Sequence, residues 1–196
     1  AEARKRYEAS LSPADRALDG REALLEARLL IIAALRASDC LKDIGGALTQ
    51  SGAHMAVFRH LMAPPTSQDQ FKLIRRDWPK GSEKSGKPVK EGVAAIVANS
   101  FYAWCSLGLT PWLSSGRKPT SREVGRLLNA ISPLIASQRV ATARRNRLAR
   151  QQEQDLIGRL EAMGWTRRQS KTIDNQAPLK VKEFMHKARF ASGLSS

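Results

Sequence analysis

The sequence predicts a mainly α-helical fold that gives way to short strands only near its end. Three observations carry that expectation: apolar residues recur at three-and-four spacing over long segments, glycine and proline clusters punctuate them, and two-residue alternation sets in after Gly164-Trp165. The 196 residues suffice for one large domain or two small ones, and a hydrophobic share of 42% supplies a core. Thirty-three Lys and Arg against eighteen Asp and Glu give a formal net charge of +15. Such a charge repels itself in the compact state until a polyanion or a membrane surface neutralises it, so nucleic acid is the first partner to consider. The apolar run LLIIAAL, Leu29 to Leu35, is far too short to span a bilayer, and no signal-peptide pattern opens the chain. A soluble cytoplasmic protein with no membrane partner is expected. Two cysteines, Cys40 and Cys105, cannot build a disulfide framework, and His54, His60 and His186 are not spaced with them as metal ligands. Structural thiols are the simplest reading. The chain opens without Met and ends on RFASGLSS, so it reads as an excerpt from a longer protein.

Ser12-Pro13-Ala14-Asp15 is a helix start: a capping hydroxyl, proline at the first helical position and an acid in the first turn. A helix from about Pro13 to Ser38 follows, with Leu24, Leu25, Leu29, Ile32 and Leu35 as its buried stripe and Arg21, Glu22, Glu26 and Arg28 in water. Gly45-Gly46 is read as an interruption, and a second helical run from about Ala47 to Met62 stops before Pro64-Pro65. Thr66 and Ser67 cap a short helix from about Gln68 to Arg76. DWPKGSEKSGKP is a loop by its glycines, prolines and serines; Val89 to Trp104 is another helix, and GLTPWLSSGRKP a second loop. Thr120 and Glu123 form a capping box that opens the longest helix, roughly Thr120 to Met163, in which Pro133 can introduce a kink. Its first apolar stripe is Val124, Leu127, Leu128, Ile131, Leu134 and Ile135; its last is Leu156, Ile157, Leu160 and Met163. Between them the same face carries Gln138, Thr142, Arg145, Ala149 and Gln152, so there is little to bury. Beyond residue 164 the alternations around Lys171–Asp174 and Leu179–Lys182 predict one or two strands.

Two basic clusters stand out. RVATARRNRLAR, Arg139 to Arg150, holds five arginines and no acid. At about 100° per residue Arg139, Arg150 and Arg147 fall near one another, with Arg144 beside them and Arg145 on the far side. The planar fork of arginine suits phosphate, and clustered guanidiniums repel one another unless an anion is present. The competing reading is a solvated face with Glu153 and Asp155 as partners. From Arg139 to Ser196 thirteen Lys and Arg oppose five acids, a net of +8. The second cluster lies between Phe71 and Lys90, where Lys72, Arg75, Arg76, Lys80, Lys84, Lys87 and Lys90 oppose Asp77 and Glu83, a net of +5. It is either a mobile, soluble lysine loop or a clamp on a DNA backbone. Lys and Arg that neutralise phosphates release counterions, which supplies affinity without sequence information. His54 and His60, six apart, do not have a metal spacing; packing or surface roles are favoured.

The segment SQRVATARRNRLARQQEQDLIGRLEAMGW resembles the XamI-type family of type II restriction endonucleases through Gln138, Arg139, Val140, Thr142, Ala143, Arg144, Arg145 and Asn146, then Gln152 and Glu153, then Gly164 and Trp165. Upstream, LTQSGAHMAVFRHLMAPPTSQDQFKLI is similar to the family's helical N-terminal region. Arg147 stands where the family pattern commonly has an acid, so no metal role is carried onto it. The resemblance implies a helical N-terminal region, residues 1–136, for DNA recognition or scaffolding, and an arginine-rich helix, residues 137–196, leading into an α/β restriction-endonuclease-like PD-(D/E)XK core.

Such enzymes cut duplex DNA with an Asp and a Glu-x-Lys. The two carboxylates hold Mg²⁺ against the phosphodiester, and the lysine orients water. Glu-x-Lys occurs nowhere in the chain; Glu2-Ala3-Arg4 and Glu26-Ala27-Arg28 lie in helical settings. VKEFMHKARFASGLSS resembles the lead-in to the first acidic strand, so the catalytic set is expected beyond Ser196 and Mg²⁺ belongs to the full-length enzyme. Glu153 is the candidate accessory carboxylate, against a capping or salt-bridge role. The DNA-binding candidates are Arg139, Arg144, Arg145, Asn146, Arg147 and Arg150, with Arg75, Arg76, Lys80, Lys84 and Lys87 in the loop. Arg or Asn in a major groove also reads guanine or adenine edges. Duplex DNA is the expected partner and a homodimer stays open. The rival reading is a complete, non-enzymatic helical nucleic-acid-binding module.

Overall fold

The computed structural model describes residues 13–169, 172–173, 179, 181–185 and 189–190. The chain divides into two units, Ala1–Ala141 and Thr142–Ser196, and a single long helix belongs to both.

Helix α1, Pro13–Ala37, opens at the expected proline; the Ser12 cap lies outside the described residues. Its buried face is Ala23, Ala27, Ile31, Ala34 and Leu35, whereas Leu25 and Leu29 are 64% and 67% exposed. Of the predicted stripe Leu35 is buried and Leu24 packs partly buried against the core, while Leu25 and Leu29 give way to the alanines. Ala23, Ala27 and Ala34 are buried there in the core cluster, so fit outweighs side-chain size. The helix ends in a turn where Asp39, Cys40 and Leu41 all take positive φ, 43°, 57° and 74°. Cys and Leu have no local compensation there, at about 1–2 kcal/mol each. Aromatic donors hold the turn: Trp112 Nε1 donates to Cys40 O at 2.8 Å, and Tyr102 Oη to Leu41 O at 3.1 Å and Lys42 O at 2.5 Å.

Helix α2, Ile44–Gln50, starts at the glycine pair that the sequence pattern presents as a break. Asp43 caps it, accepting from Gly46 N at 2.7 Å, and a Cβ on Gly46 would lie 2.0 Å from the Asp43 carboxylate. Glycine makes room for the cap. The expected run to Met62 is subdivided after Ser51, whose backbone is extended, into a 3₁₀ turn Gly52–His54, helix α3 Met55–Phe58 and a second 3₁₀ turn Arg59–Leu61. His54 and His60 are buried, each with Nδ1 on a backbone carbonyl, Ala47 O at 3.0 Å and Ala56 O at 2.6 Å. Helix α4, Gln68–Ile74, has a full capping box between Ser67 and Gln70.

Both predicted loops contain a short helix and a buried tryptophan. Helix α5, Ser82–Ser85, sits between left-handed Gly81 and Gly86, and Trp78 packs edge-on to Phe71 at 5.7 Å. Helix α7, Pro111–Ser114, buries Trp112 completely. Between them helix α6, Glu91–Trp104, buries Ala94, Val97, Ala98 and Phe101, with Phe101 edge-on to Phe58 at 5.8 Å.

Helix α8, Ser121–Ala162, runs unbroken through Pro133. The capping box forms: Thr120 N donates to Glu123 Oε2 at 2.8 Å and Glu123 N to Thr120 Oγ1 at 3.3 Å. Arg117 adds a two-pronged ion pair to the same carboxylate. Leu127, Ile131 and Ile135 are buried as expected, but Leu134 is 48% exposed and Ser132 and Ala136 take its place. Among the C-terminal apolar residues Ile157 is buried, while Leu156 and Met163 are exposed.

In the second unit α8 ends in a Schellman motif, with Gly164 N on Glu161 O and Trp165 N on Leu160 O, both 3.0 Å, and Gly164 at φ 80°. Strand β1, Thr166–Arg168, pairs in parallel with β3, Glu183–Met185; β2, Thr172–Ile173, pairs in parallel with β4, Arg189–Phe190. The helix-to-strand change falls where expected and β2 lies in the first predicted alternation. Val181 and Lys182 of the second alternation are instead exposed turn residues, displacing that strand onto Glu183–Met185. The described fold is mainly helical with two short parallel strand pairs.

Candidate nucleic-acid interface

The basic loop is hydrogen-bonded to the Leu48–Gly52 segment of the same unit. Gly52 N donates to Lys87 O at 3.1 Å and Ser51 Oγ to Gly86 O at 3.2 Å, while Val89 N reaches Leu48 O at 3.1 Å. Ser82 is buried, and so is Trp78. The loop's two acids are both engaged: Asp77 with Arg75 at 2.8 Å, and Glu83 with the buried Arg59 at 3.0 Å. The Arg75 guanidinium beside it holds the Asp77 carboxyl below its ordinary value. Arg76, Lys80, Lys84 and Lys87 are exposed, and among the described residues none of them is in an ion pair. The loop therefore turns its acids onto arginines and its lysines toward solvent.

On α8, every residue from Ala141 to Arg147 is exposed. No large apolar side chain on that stretch needs covering, as the failed stripe predicted. Arg144, Arg145, Asn146, Arg147 and Arg150 all lie exposed in the second unit, with Arg145 Nη2 at 3.4 Å from Thr142 Oγ1. Arg139 is separate from them: it belongs to the first unit and pairs with Glu26 at 2.9 Å. Gln138 is likewise taken up within the first unit, accepting from Arg59 Nη2 at 2.7 Å. Glu153 is half-buried on α8, one turn beyond the arginines.

Arg59 itself is not among the sequence candidates, since a lone arginine in HMAVFRHLM carries no pattern signal. It is 3% exposed. Burial, together with the Arg59 charge, pushes the His60 imidazole below its ordinary value, so it adds no positive charge near neutrality. A cavity of about 530 Å³ in the first unit, walled by Pro64, Pro65, Leu73, Ile74 and Trp104, is apolar and carries no cation, so it contributes nothing to holding an anion.

The donor set for Mg²⁺ does not assemble among the described residues. Among the described residues no three of His, Cys, Asp and Glu come together as a cation site. Glu26, from the nearest sequence analogue of the motif, is a helical residue paired with Arg139, and Ala27 beside it is buried. No step through Mg²⁺ is derived from these residues. No helix of the described residues is long and apolar enough to cross a membrane.

A mainly helical chain with a lysine loop and an exposed arginine stretch has the chemistry to hold a polyanion. The class narrows to one family: the model of the XamI restriction endonuclease matches residues 39–193, and the chain belongs to that restriction endonuclease family. No curated protein and no solved structure matches it.

Proposed function

We propose that this chain is the DNA-holding portion of a type II restriction endonuclease that hydrolyses phosphodiester bonds of duplex DNA. The observation that carries the reading is the fully exposed Ala141–Arg147 stretch of α8, inside the family match, with Arg144, Arg145, Arg147 and Arg150 on or next to it. An exposed helix without an apolar face gains nothing from packing, and its clustered guanidiniums lose repulsion when phosphates approach. Lys80, Lys84 and Lys87 supply further phosphate contacts. The catalytic Asp and Glu-x-Lys, and the Mg²⁺ they hold, are assigned outside residues 1–196; neither Glu-x-Lys nor Asp-x-Lys occurs in the chain. No catalytic step is given to Glu153.

Titration of the purified chain with a duplex oligonucleotide at stepped salt concentrations tests this. The logarithm of the binding constant is expected to fall linearly with that of salt, by about 0.9 per neutralised phosphate. Plasmid incubated with the chain and Mg²⁺ should stay intact. Absence of salt-dependent binding contradicts the DNA-holding role; robust cleavage contradicts the placement of the catalytic set.

A further inference from the structure

Arg59 gathers three segments that are distant in sequence. Its Nε donates to both Glu83 carboxylate oxygens at 3.1 and 3.3 Å, and its Nη2 to Glu83 Oε1 at 3.0 Å and to Gln138 Oε1 at 2.7 Å. Its Nη1 donates to Thr66 O at 3.0 Å. The side chains of Arg59 and Glu83 are 4% and 11% exposed. All of these residues belong to the first unit. We propose that Arg59 is a positioning residue for DNA binding: by fixing Glu83 it sets the lysines of the α5 loop in the arrangement that meets phosphate. This rests on the proposed role of that loop in holding DNA.

Two physical consequences support the assignment. A four-residue helix between two left-handed glycines has almost no stability of its own, because the first turn of a helix is unfavourable to form. Its placement must come from outside contacts, and the Arg59–Glu83 pair is its charged one. The second consequence is electrostatic. Glu83 directly precedes Lys84, and a carboxylate released there would sit among the groups that meet DNA phosphate. Held inward by Arg59, it leaves the outer face to Lys80, Lys84 and Lys87. A fork that binds carboxylate from two sides while reaching a carbonyl and an amide needs the five donors of arginine; lysine has three on one atom.

The test compares the effect of Lys80→Ala/Lys84→Ala/Lys87→Ala in three backgrounds: the natural chain, Glu83→Gln and Arg59→Lys. Circular dichroism and thermal unfolding check that each variant is folded, and the readout is the slope of log K for duplex DNA against log salt. In the natural chain the triple replacement should remove about 2.7 from the slope, at about 0.9 per phosphate. In either of the other backgrounds it should remove only about 0.9, because Lys80 and Lys84 are no longer preset while Lys87 stays seated by the Gly52 N–H. If one background fails to fold, the other carries the comparison. A loss of about 2.7 in all three backgrounds overturns the positioning role and leaves the DNA-holding role of the loop standing. No loss in the natural chain overturns both.

Discussion

Gly52→Ala probes how firmly the basic loop is mounted. An added Cβ would stand 2.8 Å from Lys87 O, 2.8 Å from Ser82 Cβ and 3.0 Å from Ser82 C. Carbon contacts settle at about 3.5–4.0 Å, so the two segments must part by about 0.7–1 Å. Two of the three atoms are backbone, and no rotamer change relieves them. Overpacking of this kind costs about 1–3 kcal/mol, and loss of the Gly52 N–H to Lys87 O bond, 3.1 Å long, adds about 1 kcal/mol. The expected sum is about 2–4 kcal/mol. It would be measured as a lowered denaturant midpoint with an unchanged slope, together with weaker duplex binding as Lys84 and Lys87 are displaced. Gly125→Ala is the control: it lies within α8 with nothing within 4 Å of its Cβ, and should stabilise by about 0.5–1 kcal/mol. Wild-type stability and binding in Gly52→Ala would refute the idea that Ser51 and Gly52 seat the loop.

Other residues give independent checks. The Arg117 guanidinium, with the Thr120 N–H and hydroxyl, holds the Glu123 carboxyl far below its ordinary value of 4.5. As pH falls the unfolded chain takes up that proton first, so the stability Glu123 contributes is fully present above about pH 4.5 and is lost below it. Unfolding of the natural chain and Glu123→Gln from about pH 6 to about pH 2 should show the gap between them closing on the acid side, and a pH-independent gap contradicts the assignment. Trp112→Phe removes the donor to Cys40 O and leaves a void in a fully buried site, at an expected cost of about 2–4 kcal/mol by thermal or denaturant unfolding. A cost under about 0.5 kcal/mol would mean that the left-handed turn at Asp39–Leu41 does not depend on that bond.

Helix starts were the most legible part of the sequence. Pro13, the Ser67 cap and the Thr120–Glu123 box each appear where local hydrogen-bond chemistry puts them, because a cap is decided within four residues. The exposed arginine stretch of α8 was legible for a similar reason: three-and-four spacing shows at once when a face has nothing to bury. Faces governed by fit were not. Leu25 and Leu29 lost the buried face of α1 to Ala23 and Ala27, since how closely two elements approach is not written in one of them. Gly46 looked like a breaker because its partner, the Asp43 carboxylate, acts through space that only the folded cap defines. The first loop hid its order in Trp78, packed on Phe71 of the preceding helix, and the second in Trp112, whose partner Cys40 lies far away in sequence. For the same reason Arg59, joined to Glu83, Thr66 and Gln138, had no local signature. Arg139 looked equivalent to its neighbours until Glu26, far away in sequence, was seen beside it.

The central claim, that the exposed stretch of α8 grips DNA phosphates, is tested most directly by replacing Arg144, Arg147 and Arg150 together with Ala. Arg139 is left in place because it is paired within the first unit. The three guanidiniums are exposed, so the variant should fold as the natural chain does. Its duplex-binding slope of log K against log salt is expected to be shallower by about 2.7, at about 0.9 for each phosphate that is no longer neutralised. An unchanged slope with unchanged affinity would contradict the claim and make the stretch a solvated helix face.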